Sequence, residues 1–233
     1  MLFQSNFQTV ALAPDLPQHV IAEERNLFRA TRDEALQWGG AATQAFVEHL
    51  PEDWREDPDL MIRSKLAWLR EGWYPLHQLL GWHSDMIPPR PDGNGPDYQN
   101  ANAEVRQRET IICVFGDVSL TEYVTGPIEL PDYPPGHPQQ VLYNQAIERM
   151  IATGKLERRQ VRPGELVKMG FGSFHRDARA HAEGWRLMLR AVRRKEVREQ
   201  TDGDLWMQMN NYFRPETVQE VLAYQPYAPT QAY

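Results

Sequence analysis

Between Trp185 and Val192 the chain alternates without a break: Trp185, Leu187 and Leu189 fall on one side, Arg186, Met188 and Arg190 on the other. Residues i and i+2 share one face of a β-strand, so the stretch predicts a strand with an apolar face and a face carrying two guanidiniums. The apolar face asks for a core behind it. The charged face is either a solvated basic surface or turned inward, where Arg186 and Arg190 would hold small anions.

Other segments set the company this strand keeps. Glu109-Thr-Ile-Ile-Cys-Val-Phe115 reads as a buried strand ended by Gly116-Asp117, with Ser119 to Thr125 as its hairpin partner. Lys155 to Val161 and Glu165 to Met169 read as strands joined by Arg162-Pro163-Gly164. Leu60 to Trp82, broken at Gly72 and Pro75, reads as two strands around a turn. Helical spacing runs from Asp15 to about Leu50, with Asp15 as N-cap, Pro17 in the first turn, a break at Gly39-Gly40 and a stop at Pro51. Another helix covers Val141 to Ala152 and ends at Gly154, and one more runs from Pro215 to about Ala223. Glu52 to Asp59, the Pro- and Gly-rich run after Asp85, and Gly126 to Gln139 read as loops, the second of them a lid or substrate-binding segment. The result is an α+β chain built on a β-sandwich or barrel. Its 233 residues suit one domain, with helical support over 1–59, the core over 60–192 and a helical tail over 193–233.

No apolar run approaches the roughly 18–20 residues of a membrane span, and the first residues lack the basic and apolar segments of a secretory signal. A cytoplasmic location is expected. The single Cys113 excludes an internal disulfide and any multi-cysteine zinc site. A net charge of −7 argues against broad electrostatic attraction to nucleic acid or anionic membranes, and the expected partner is a small-molecule substrate. That average conceals a basic stretch, since residues 155–195 hold twelve Lys and Arg against four Asp and Glu.

The chemistry-bearing residues are few. Gly81-Trp82-His83-Ser84-Asp85 sets an imidazole and a carboxylate two positions apart, on one face if the segment is extended. A third ligand is expected from His175 in Phe171-Gly-Ser-Phe-His-Arg-Asp177, with Arg186 eleven residues beyond it. His181, nine residues before Arg190, offers a competing pairing. Two imidazoles and one carboxylate on one side of an octahedral ion leave three adjacent positions open, as in non-haem Fe(II) oxygenases. Guanidinium suits the far carboxylate of a chelating keto diacid because it binds bidentately and stays charged when dry.

His83-Ser84-Asp85, His175 and Arg186 together resemble the signature of the Fe(II)/2-oxoglutarate-dependent dioxygenase superfamily. The resemblance implies a double-stranded β-helix (jelly-roll, cupin-like) core flanked by N- and C-terminal helices. It implies Fe(II) held by His83, Asp85 and His175, with 2-oxoglutarate and O2 as cosubstrates and succinate and CO2 as products. Arg186 would anchor the cosubstrate, and Thr121, after Gly116-Asp117, loosely matches a threonine that touches it in some members. Arg190 and Trp82 are the candidate substrate contacts, for an anionic or zwitterionic molecule. Two alternatives stay open at this point: a cupin-like metal enzyme that does not use 2-oxoglutarate, and a non-catalytic jelly-roll binding module.

Overall fold

The computed structural model describes residues 1–75, 81–85, 87, 97–98, 106–131, 139–193 and 212–213. Its centre is β10 (Gly184–Arg193), the alternating segment, which runs antiparallel to β3 (Leu60–Leu69) on one side and β5 (Glu109–Phe115) on the other. With β8 (Glu165–Gly170) and β2 (Gln8–Leu12) these form a five-stranded antiparallel sheet in the order β2-β8-β5-β10-β3. A second antiparallel sheet places β6 (Thr121–Glu129) between β1 (Leu2–Ser5) and β7 (Glu157–Gln160), and β9 (His175–Asp177) also pairs with β6. A two-residue ladder joins β4 (Tyr74–Pro75) to β11 (Tyr212–Phe213).

Each sheet has a helical backing, because the apolar residue of each alternating pair needs cover. Behind the large sheet lie α1 (Gln18–Ala22), α2 (Arg32–Trp38), α3 (Ala41–His49) and α4 (Glu52–Arg55). Ile21, Phe46, Val47 and Trp54 from this layer pack on Ile62, Leu66, Cys113, Phe115, Leu187 and Leu189. Each such side chain contributes about 1.5–3 kcal/mol by leaving water. Behind the small sheet lies α5 (Gln139–Ala152), whose Tyr143 and Ile147 share a second core with Val124, Ile128, Phe174 and Trp82. The inner faces of the two sheets meet around Ile112, Val167 and Met188 on one side and Tyr123 on the other.

The two short N-terminal strands went unforeseen, so the region 1–59 is not purely helical. Segments of four and five residues carry too little alternation to announce themselves, and both are edge strands fixed by tertiary pairing. The first helix starts at Gln18 with Pro17, not Asp15, at its N-cap. Glu52–Arg55 is a helical turn that buries Trp54 rather than a surface loop. Residues 126–129 continue β6 rather than starting a loop.

A further correction concerns hairpins. Ser119 to Thr125 does not fold back on β5: Gly116, at φ +83°, turns the chain so that β6 enters the other sheet. Likewise β7 and β8 belong to different sheets although the turn at Gly164, φ +74°, joins them. Local turn chemistry was legible, but a turn of this kind also serves to cross between sheets. The expected helix from Pro215 and the expected lid after Asp85 lie outside the described residues, apart from isolated positions of the latter. Among the described residues, no helix is long and apolar enough to cross a membrane.

Helix α2 carries a full capping box: the Glu34 amide donates to Thr31 Oγ1 at 3.3 Å, and the Thr31 amide donates to Glu34 Oε2 at 2.8 Å. Thr31→Ala is expected to cost about 1 kcal/mol, read as a fall in thermal midpoint of roughly 2–4 °C.

Candidate metal centre

The small sheet builds the site through one row of paired residues. His83 and His175 form an antiparallel bridge, each amide donating to the other's carbonyl at 2.9 Å, and His175 in turn lies opposite Tyr123. Directly paired residues project from the same face, so both imidazoles and the phenol point into the space between the sheets. The imidazole ring centroids lie 4.4 Å apart, and Tyr123 stacks on His175 at 5.5 Å. Asp85, two residues past His83, completes the group.

The donor atoms of His83, Asp85 and His175 all lie within 4.8 Å of one another. Asp85 Oδ1 is 3.7 Å from His83 Nε2, and Asp85 Oδ2 is 3.5 Å from His175 Nε2. The tautomers follow from the backbone. His83 Nδ1 is 2.8 Å from the Gly81 carbonyl and His175 Nδ1 is 3.4 Å from the Ser173 carbonyl. A carbonyl can only accept, so each Nδ1 carries a hydrogen, and each Nε2 is the atom turned to the shared space and, once deprotonated, the one that can ligate a cation there. Two imidazoles and one carboxylate, oriented in this way and largely shielded from solvent, fit a divalent first-row metal ion.

The neighbouring chain holds these donors still. Gly81 sits at φ +80°, and a Cβ there would come 2.0 Å from Asn144 Oδ1, the atom that accepts from the Trp82 amide. Helix α5 therefore fixes the carbonyl that orients His83. Ser84 Oγ accepts from the Gly172 amide at 3.0 Å, tying the His83 segment to the turn before His175.

Facing this wall, the large sheet presents the polar side of β10. Arg190 Nη2 donates to Asp85 Oδ2, and Arg186 Nη2 donates to Asp177 Oδ1, so two ion pairs bridge the sheets. Arg186 is 2 % exposed, with Nε donating to the Ser119 carbonyl at 2.6 Å. Thr121 Oγ1 donates to the same Asp177 oxygen at 3.3 Å. Burial pushes the Asp85 carboxyl up, but Arg190 and then the two histidines outweigh it and hold the group well below the ordinary carboxylate range. A ligand carboxylate that stays ionised is what cation binding requires.

The structure thus brings together His83, Asp85 and His175, with Arg186 and Thr121 at one end of the same space and Arg190 at the other. His181 is exposed and takes no part. Trp82 is not a substrate contact: consecutive strand residues face opposite ways, and its fully buried indole lies in the second core, where Nε1 donates to Glu148 at 2.9 Å. Arg190 is engaged with the Asp85 carboxylate, which it holds in place.

Two residues were missed. Asp177 follows His175 with the spacing by which Asp85 follows His83, and that repeated His-X-Asp pattern was the available signal. Tyr123 left no signal, since only sheet pairing sets it beside His175. The basic stretch at 155–195 finds acids elsewhere in the chain, in pairs such as Arg176–Glu122, Arg193–Asp53 and Arg193–Asp57.

Arg190→Ala should lower affinity for Mn(II) or Fe(II) about 10- to 100-fold, as the loss of an outer-shell partner does, while binding stays stoichiometric. Equilibrium dialysis against metal-buffered solutions reads this directly.

No protein-family model matches the chain, and no curated protein does. Among solved structures, it is similar to a non-haem monooxygenase, the ThoJ–Ni complex, at 12% identity and TM-score 0.39, covering 94% of this chain and 90% of that one. It is also similar to SnoK, a non-haem α-ketoglutarate-dependent carbocyclase from nogalamycin biosynthesis, at 14% identity and TM-score 0.38, covering 99% and 90%. A third is an N-substituted L-amino acid dioxygenase from Burkholderia ambifaria AMMD, at 10% identity and TM-score 0.37, covering 77% and 79%. At these scores the functional argument rests on the geometry of the site.

Proposed function

We propose that this chain is a non-haem Fe(II)- and 2-oxoglutarate-dependent oxygenase with a jelly-roll core in one domain. It would oxidise a C–H bond of a small anionic or zwitterionic molecule, with release of succinate and CO2. The observation that carries the reading is the orientation of His83, Asp85 and His175, whose donors converge from one wall and leave the opposite side to exogenous ligands. Ferrous iron bound by three such ligands supplies dioxygen activation next to a chelated 2-oxo acid.

Every other contribution comes from the chain. The Gly81 and Ser173 carbonyls fix both imidazoles, and Arg190 holds the Asp85 carboxylate in position. Arg186, buried and locked by Ser119 and Asp177, supplies a preorganised cation for the distal carboxylate, with Thr121 beside it. The apolar side chains Ile112, Val167 and Met188 exclude water on the large-sheet side.

In the presence of Fe(II), O2 and 2-oxoglutarate alone, the purified protein is expected to form succinate slowly, and His175→Ala to form it only at background. Equal succinate formation by wild type and His175→Ala would remove the basis for the proposal.

A further inference from the structure

The outer face of the small sheet repeats its inner face with a shift of one residue. The inner row runs His83, His175, Tyr123; consecutive strand residues face opposite ways, so the same register sets Trp82 against Arg176 and Arg176 against Glu122 on the side of α5. Their contacts follow that order. The Arg176 guanidinium lies 4.4 Å from the centre of the Trp82 ring, and its Nε donates to Glu122 Oε2 at 2.6 Å. Each member of the outer row is bonded along the chain to a member of the inner one.

Helix α5 grips this outer row through Asn144 and Glu148, which stand one turn apart on one side of the helix. His83 commits its amide and carbonyl to His175, so those of Trp82 point to the other edge of the strand. There Asn144 Oδ1 accepts from the amide and Nδ2 donates to the carbonyl at 3.4 Å, in the place where a further strand would pair. Glu148 reaches further. Its Oε1 accepts from Trp82 Nε1 at 2.9 Å and also from Arg176 Nη1, so one carboxylate oxygen joins the residue before His83 to the residue after His175. Among the described residues, the backbones of these two ligand segments share only the two hydrogen bonds of the His83–His175 bridge. Side chains must therefore limit how far one segment twists or slides against the other, and a ligand set works only when its atoms are held to within about 0.5 Å.

We infer that Glu148 is a positioning residue of the metal centre, acting from the far face of the sheet: by tying Trp82 to Arg176 it sets the spacing of the His83 and His175 imidazoles. The inference rests on the proposed metal centre and adds to it a residue of α5 that touches neither the ion nor its ligands. The link differs from an ordinary stabilising ion pair. The Glu148 side chain is 46 % exposed, and such surface pairs contribute little to stability, so its effect should appear in the geometry of the centre rather than in the melting of the fold.

The test loads the full-length protein with Co(II), whose visible absorption follows the arrangement of its ligands, and reads both that spectrum and the Co(II) affinity. Glu148→Ala should alter the Co(II) spectrum and weaken binding about 10-fold, the lower end of what outer-shell partners contribute, while its thermal midpoint without metal falls by no more than roughly 4 °C. Glu148→Gln keeps an oxygen that accepts from both donors and should retain the wild-type spectrum and most of the affinity. Arg176→Met breaks the same link from the other end, leaves α5 untouched and should reproduce the spectral change of Glu148→Ala. The positioning role is overturned if either Glu148→Ala or Arg176→Met, once shown to be folded, keeps the wild-type spectrum and affinity, or if Glu148→Gln is as impaired as Glu148→Ala. A wild-type protein that takes up no Co(II) would instead remove the metal centre itself.

Discussion

Asp85→Asn is expected to reduce divalent metal affinity by more than about 100-fold, beyond the loss that an outer-shell change such as Arg190→Ala brings. Asparagine keeps the volume but removes the anionic oxygens that lie 3.5 and 3.7 Å from the two imidazole nitrogens. It also strips Arg190 of its carboxylate in a buried place. Breaking one side of a buried ion pair costs about 3–5 kcal/mol, so a melting curve should precede the binding measurement. Metal dialysis on the folded variant then separates the two effects. The native carboxylate's folded value lies below its unfolded one, so its contribution to stability is complete above about pH 4. That contribution is lost only as pH falls through the depressed value. Stoichiometric, tight metal uptake by Asp85→Asn would contradict the assignment of this residue as a ligand.

The largest expected effect on stability lies far from the site. Glu24 is 2 % exposed and its carboxylate caps α3 from outside the helix. It accepts from the amides of Gly40 at 3.1 Å, Ala42 at 2.6 Å and Thr43 at 3.2 Å, and from Thr43 Oγ1 at 2.7 Å. Glu24→Ala leaves those donors buried and unsatisfied at the start of the helix that carries Phe46 and Val47 into the core. The expected loss is about 3 kcal/mol or more, a fall in thermal midpoint of roughly 6–12 °C. Metal affinity of the folded variant should be unchanged, because α3 packs on the outer face of the large sheet.

These two cases mark what could be read from the chain and what could not. Strand β10 was legible because alternation sorts its residues between two environments, a helix-backed core and a polar interior. The triad was legible because His-X-Asp spacing on extended chain is a local property, and the distal His and Arg came with a resemblance. Glu24 announced nothing: its partners lie sixteen to nineteen residues away, on a helix it does not belong to. Sheet membership was illegible for the same reason. Gly116 and Gly164 signalled turns, and only packing of the β6 and α5 faces decided that the chain should cross rather than fold back. Trp82 was misread because its partners Glu148 and Arg176 are distant in sequence.

The most direct measurement of the central claim is an anaerobic titration of the protein with Fe(II) followed by 2-oxoglutarate, watched in the visible region. Wild type should develop the weak charge-transfer absorption of a chelated 2-oxo acid at one equivalent of iron, and Asp85→Asn should not. A wild-type protein that binds iron yet shows no such absorption at saturating 2-oxoglutarate would contradict the account.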